Sequence, residues 1–161
     1  MSDEIVIEHP NRDKVESKTT KGVVILLLVA SAALVFIVTV GGWKAESGAQ
    51  PVSLAYVLIY LVMAYYVTRW NRGVLPVAAA LAIIMAIFAA VATPAWFDRD
   101  KTGFTDPAIA SSILGTITAI IVPVQILLIA FAMRGFQQAW NVEVERYDDG
   151  SSNAEVVAAR A

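Results

Sequence analysis

Four stretches of this chain carry no acidic or basic side chain, and that feature constrains its folding more than any other. They are "GVVILLLVASAALVFIVTVGGW" (22–43), "PVSLAYVLIYLVMAYYV" (51–67), "VLPVAAALAIIMAIFAAVA" (74–92), and a run from Pro107 to Met133. About 20 apolar residues, rising 1.5 Å each, span the roughly 30 Å of a bilayer's hydrocarbon. Inside lipid every backbone polar group must be satisfied internally, which leaves helices or closed barrels. Strand-length alternation is missing from these blocks, so helices are expected. The chain is 58% hydrophobic and 16% charged, against roughly 45–50% and about 25% in soluble domains. The grouping of that excess into four blocks argues against one large soluble core.

The expected fold is therefore all-α: a polytopic membrane protein built as a four-helix transmembrane bundle within residues 22–135. Spans of about 22–43, 51–68, 74–93 and 107–133 are flanked by tails 1–21 and 136–161. The first block exceeds the roughly 7–15 residues of a signal-sequence core and no convincing A-x-A site follows, so it reads as an uncleaved span. Pro51 suits a first helical turn, and Asp106-Pro107 reads as a cap followed by proline at the first helical position. Short connections predict that successive spans are antiparallel neighbours. In the tails, "EIVIE" and "VEVER" alternate at period 2, as strands do, and could pair; the tails otherwise read as polar segments without a sheet.

Lysine and arginine placement predicts orientation. Nine of these residues (Arg12, Lys14, Lys18, Lys21, Arg69, Arg72, Arg134, Arg146 and Arg160) fall on the side of the termini. Three (Lys44, Arg99 and Lys101) fall on the other. Both termini are expected in the cytoplasm, with the cell membrane as the location. Trp43, Trp70, Trp96 and Trp140 lie at or just beyond span edges and read as interfacial anchors. Phe97 and Phe104 read likewise, or as contacts for a partner.

Lipid is as apolar as leucine, so spans associate through close approach and a few polar contacts. Ala78, Ala82, Ala86 and Ala90 in span 3, and Ser111, Gly115 and Ala119 in span 4, recur every four residues and read as helix-packing stripes. Tyr60 and Gln125 each lie eight residues before the inner end of their span, about 12 Å deep at 1.5 Å per residue. At equal depth a phenol and an amide are natural hydrogen-bond partners. Tyr56, one turn from Tyr60, shares its face; that face is expected toward the bundle core, or else to line a small amphipathic pocket for a lipid or quinone-like headgroup. Pro123 is expected to kink span 4 and to free the carbonyl of Ala119, for which a hydroxyl of Thr116 or Thr118, a water or a neighbouring span would supply a donor.

The functional reading proceeds by elimination. Pumps and ion-coupled carriers usually place acidic, basic or histidine side chains in the membrane, and none occurs in the spans. The single histidine, His9, lies in the N-terminal tail, so no span supplies the histidine ligation that haem usually needs. The chain has no cysteine, no P-loop, no dinucleotide fingerprint and no HExxH. Ser31, Ser111 and Ser112 have no base nearby for nucleophilic chemistry. In "DRDKTGFTD", Asp98, Asp100 and Thr102 occupy positions 1, 3 and 5 of a calcium-type loop, but position 12 is Ile109, where glutamate is needed. Half a motif reads better as a solvated loop. The net charge of −2 provides no basic field for nucleic acid. These observations lead to a non-catalytic membrane protein without cofactor, expected to serve as an accessory or scaffolding subunit. Its expected partners are membrane lipid and either other membrane subunits or further copies of itself. A small permease or channel for a neutral or lipidic solute, and a membrane-bound sensor or regulator, are the alternatives.

Overall fold

The computed structural model describes residues 5–46, 48–100 and 106–147. Its elements in chain order are β1 (Ile5–Glu8), a short α1 (Pro10–Asp13), α2 (Val15–Gly41), α3 (Gln50–Thr68), α4 (Val74–Phe97), a 3-10 turn (Asp98–Asp100), α5 (Ser111–Gln137) and β2 (Val144–Tyr147). Four of these helices, α2 to α5, are long and apolar enough to cross a membrane. They form a helical bundle with β1 and β2 at one pole, here called basal, and residues 42–46, 48–49, 98–100 and 106–110 at the other, distal pole.

The spans accommodate hydroxyls by folding them back on their own helix. Ser31, Thr39, Thr93, Thr116 and Thr118 each donate to the carbonyl four residues earlier, at 2.7–2.9 Å. Each hydroxyl thus satisfies itself without a partner from lipid, where an unpaired polar group is costly. Thr116 and Thr118 therefore serve the carbonyls of Ser112 and Leu114, not the Ala119 carbonyl freed by Pro123. Pro123 itself lies inside a helix that runs unbroken from Ser111 to Gln137.

Four helix boundaries differ by several residues from the sequence expectation: α2 begins at Val15 instead of 22 and α5 ends at Gln137 instead of 133, while α5 starts later and α4 ends later than expected. Residues 107–110 are not helical, and Ala110, not Asp106, is the cap residue of α5. The reason is a pair of backbone bonds: the amides of Ala108 and Ile109 both donate to the Gly41 carbonyl, at 3.0 and 3.3 Å. They satisfy the end of α2 and hold 106–110 across the distal pole. α4 continues through Pro94 to Phe97, whereas the sequence suggested a stop at 93.

Packing order also departs from simple succession. α4 packs most extensively on α5, and α2 packs on both α3 and α5, whereas the consecutive pair α3 and α4 touches sparsely. The ring of helices is thus closed everywhere except along the α3–α4 seam. The small-residue stripes rotate out of register for a geometric reason. At 3.6 residues per turn a step of four advances about 40° past a full turn. Ala78 and Ala82 are accordingly buried, Ala86 is half-buried and Ala90 is exposed. The buried line instead runs Leu75, Ala78, Ala79, Ala82, Met85, Ala89 and Trp96. In α5, Ser111 and Gly115 are buried and Ala119 is half-buried for the same reason.

At the basal pole β1 and β2 are zipped together. β1 and β2 pair antiparallel, with Val6 opposite Arg146 and Ile7 opposite Glu145. Below the ribbon, the Arg12 Nε donates to the Trp140 carbonyl at 2.8 Å and the Asn11 amide donates to the Ala139 carbonyl at 3.1 Å. Arg72 Nε donates to the Phe136 carbonyl at 2.6 Å, placing positive charge at the C-terminal end of α5, where a helix dipole favours it. Trp140 is fully buried and meets Trp70 edge to face at 5.2 Å. Trp96 is also buried, against Gly42. These two tryptophans are therefore core plugs and not interfacial anchors, because glycines at 135 and 42 leave room for an indole to enter. Trp43 remains half-exposed at the distal pole.

A Cβ on Gly135 would stand 3.0 Å from the Trp140 ring and 3.1 Å from Leu75. Overpacking of this kind costs about 1–3 kcal/mol. Gly135→Val is expected to lower unfolding stability by that amount in detergent. Gly22→Val, where nothing lies within 4 Å, should leave it nearly unchanged.

Candidate functional site

Two features of the bundle interior stand above one another: a buried polar chain and, distal to it, a cavity. The polar chain begins at Tyr60 on α3. Its hydroxyl donates to the Gln125 Oε1 on α5 at 2.8 Å. The Gln125 amide donates to the Ser31 Oγ on α2 at 2.9 Å, and Ser31 donates to the Leu27 carbonyl at 2.7 Å. All three side chains are fully buried. Donor and acceptor alternate from phenol to backbone, so the amide that lipid would penalise is served at both its oxygen and its nitrogen. Tyr56 packs edge to face on Tyr60, with ring centres 5.7 Å apart and an interplanar angle of 78°.

The cavity, of about 420 Å³, occupies the distal half of the open α3–α4 seam. Its volume falls in the range of small-molecule sites, roughly 300–1,000 Å³. It exists because the seam is lined with short side chains: Ala49 and Ser53 from the start of α3, and Ala89, Ala92 and Ala95 from α4. Alanines that would have let two helices approach here face a gap. Val38 and Ile121 form the apolar back wall, from α2 and α5. Tyr56 and Met85 lie at the basal end of the lining, and one turn further the Tyr60 layer closes the core. Val52 and Phe88 line the cavity and are also more than half exposed on the outer surface. They therefore flank a lateral opening toward the lipid side of the bundle.

Polar groups gather at the distal end of this apolar space. Glu46, in the connection before α3, lines the cavity together with Arg99. One carboxylate oxygen of Glu46, Oε2, is buried and has no hydrogen-bond partner. Burial pushes the Glu46 carboxyl above the usual carboxylate range, while the Arg99 charge pulls the other way. Arg99 does not quench that oxygen: its guanidinium donates to the Ala45 carbonyl at 2.9 Å and lies 5.0 Å from the Trp96 ring centre.

The structure thus brings Tyr56, Tyr60 and Gln125 to one place, and Trp96 lines the same cavity as Tyr56. Pro123 lies two residues before Gln125 on the same helix but does not line the cavity. Asp98 and Asp100 belong to the 3-10 turn after α4, and Thr102 lies outside the described residues, as does Phe104. Among the described residues, no group of three or more histidine, aspartate or glutamate side chains is placed to hold a metal ion. Sequence reasoning missed Glu46 and used Arg99 only as an orientation signal. The available sign was a lone acid in a short connection directly before an alanine- and serine-bearing helix start.

The polar chain predicts a measurable coupling. Tyr60→Phe and Gln125→Leu should each destabilise the bundle modestly, and the double variant by less than their sum. The expected coupling is about 0.6–1.7 kcal/mol, the range for interhelical bonds in membranes. Additive losses would show that the bond carries no energy. Glu46 predicts an opposite sign. Its native pKa lies above the unfolded value, so the folded state binds the proton more readily and stability rises as pH falls through the native pKa. Glu46→Gln should accordingly raise the melting temperature at neutral pH and flatten that dependence. No family model matches this chain, and no curated protein or solved structure was found to be significantly similar to it.

Proposed function

We propose that this is a non-catalytic, multi-pass membrane protein that holds a lipidic small molecule in the distal cavity. The carrying observation is the cavity itself: an apolar space of about 420 Å³, open sideways between α3 and α4 and closed at its basal end by an interlocked polar layer. A lateral opening favours a molecule that arrives through the bilayer. The Tyr60–Gln125–Ser31 layer favours binding over conduction, because passage would require its two interhelical hydrogen bonds to break together. In this reading both termini face the cytoplasm and the protein resides in the cell membrane, as the nine-to-three distribution of lysine and arginine suggests.

A second role, as an accessory subunit of a larger membrane assembly, is favoured by the basal ribbon. Among the described residues, β1 and β2 form a sheet of two strands with an outer edge on each side, and Val6 and Ile7 are exposed. Open strand edges are templates for pairing with another chain. The two roles are compatible, one at each pole.

Native mass spectrometry of the protein released from mild detergent tests the first role. The expected result is a bound non-protein mass on the wild type that is lost from Ala92→Phe, whose ring would fill the cavity. A wild type free of any such adduct after gentle purification, and unable to acquire one from added long-chain alcohol, would overturn it.

A further inference from the structure

The cavity carries more information than its size, because its distal end is chemically unfinished. Resting on the reading of the cavity as a ligand site, we infer that Glu46 selects the head group. The ligand is a single-chain amphiphile whose polar end donates a hydrogen bond, a hydroxyl or an ammonium, and whose chain runs toward Tyr56.

Three observations converge. First, the Glu46 Oε2 is buried without a hydrogen-bond partner, and a buried acceptor left unpaired is a standing cost that a donor would remove. Second, the neighbouring cation is occupied elsewhere: Arg99 donates to the Ala45 carbonyl and stacks toward Trp96. It therefore steadies the pole without completing Glu46. Third, the polarity of the lining is graded along the cavity. Glu46 and Arg99 stand at the distal end, where the connections meet water. Val38, Met85 and Ile121 lie in the apolar depth. An amphiphile entering sideways past Val52 and Phe88 would keep its head at the level of the bilayer surface. An anionic head would set two negative charges against each other at Glu46 and is disfavoured.

The volume supports one chain and not two. Sites of this size enclose drug-sized ligands, whereas a two-chain phospholipid would leave a chain in the bilayer outside the seam.

The test uses the full chain in lipid nanodiscs, titrated calorimetrically with dodecan-1-ol, its methyl ether and dodecanoate, with empty nanodiscs as reference. The alcohol and the ether share a chain and differ in the O–H donor. The alcohol is expected to bind about tenfold more tightly than the ether, in line with a hydrogen bond to a charged acceptor, and dodecanoate most weakly. Glu46→Met, which keeps the length and removes the acceptor, should abolish the alcohol's advantage, whereas Glu46→Gln, which retains one acceptor oxygen, should preserve part of it. Circular dichroism melts report whether both variants are folded. Equal binding of alcohol and ether to the wild type would overturn the assignment to Glu46 while leaving the cavity reading intact. So would an advantage that survives Glu46→Met. Dodecanoate binding most tightly would transfer head-group recognition to Arg99 and also overturn it. No binding of any of the three to the wild type would remove the cavity reading itself.

Discussion

One buried hydrogen-bond chain fixes the register of three helices. Tyr60, Gln125 and Ser31 come from α3, α5 and α2, and they meet only if those helices hold one relative depth. In water such a chain would add little, because each group would bond to solvent when separated. In hydrocarbon the alternative is an unsatisfied amide, which costs several kcal/mol. Interhelical bonds in membranes contribute only about 0.6 kcal/mol each on average, so the chain acts less by its strength than by the penalty on every arrangement that breaks it. α4 contributes no side chain to this chain. It is held by shape, through its extensive packing on α5 and through Phe97 set against Gly115. The fourth helix is therefore free of the polar register that binds the other three, and the open seam lies on its side facing α3.

Much of this architecture was legible in the sequence. The number of long apolar helices followed from uncharged blocks of bilayer length. The Tyr60–Gln125 contact followed from equal depth, because two helices running in the same direction can be compared residue by residue at 1.5 Å each. Ser31 was not found that way. It lies on an oppositely directed helix, and a serine in a span is satisfied by its own backbone, so nothing in the sequence marks it as a partner. The basal ribbon was visible as period-2 alternation in both tails. Its pairing depends on the bundle bringing the two ends to one pole, which a local pattern cannot decide.

The departures share a cause. The sequence was read in terms of position along the chain, and the structure is decided by position around it. Trp96 and Trp140 lie near span ends, where indoles usually anchor in the interface, but glycines at 42 and 135 face them and admit them to the core. Asp106-Pro107 has the form of a helix start, yet the amides of Ala108 and Ile109 are drawn to the Gly41 carbonyl and postpone the helix to Ser111. Both outcomes depend on a partner remote in sequence, which no helix-start rule or hydropathy profile contains.

The alanines of α4 show how one composition can close a bundle on one side and open it on another. A four-residue repeat turns by about 40° per step, so a stripe that faces α5 at Ala78 has rotated by about 120° at Ala90. Toward α5 the small side chains permit close approach and the helices pack tightly. Toward α3 the same small side chains, Ala89, Ala92 and Ala95, meet Ala49 and Ser53 across a gap that neither side can fill. In a soluble protein such a gap would be closed by collapse, because water drives apolar surfaces together. In lipid that drive is absent, since an acyl chain solvates alanine as well as another helix does. The cavity can thus persist without strain, and under the proposed reading its occupant is selected at its distal end, where Glu46 leaves an acceptor unpaired. Removing that carboxylate would leave a space indifferent among apolar chains, whereas retaining it gives the space a direction and a preference.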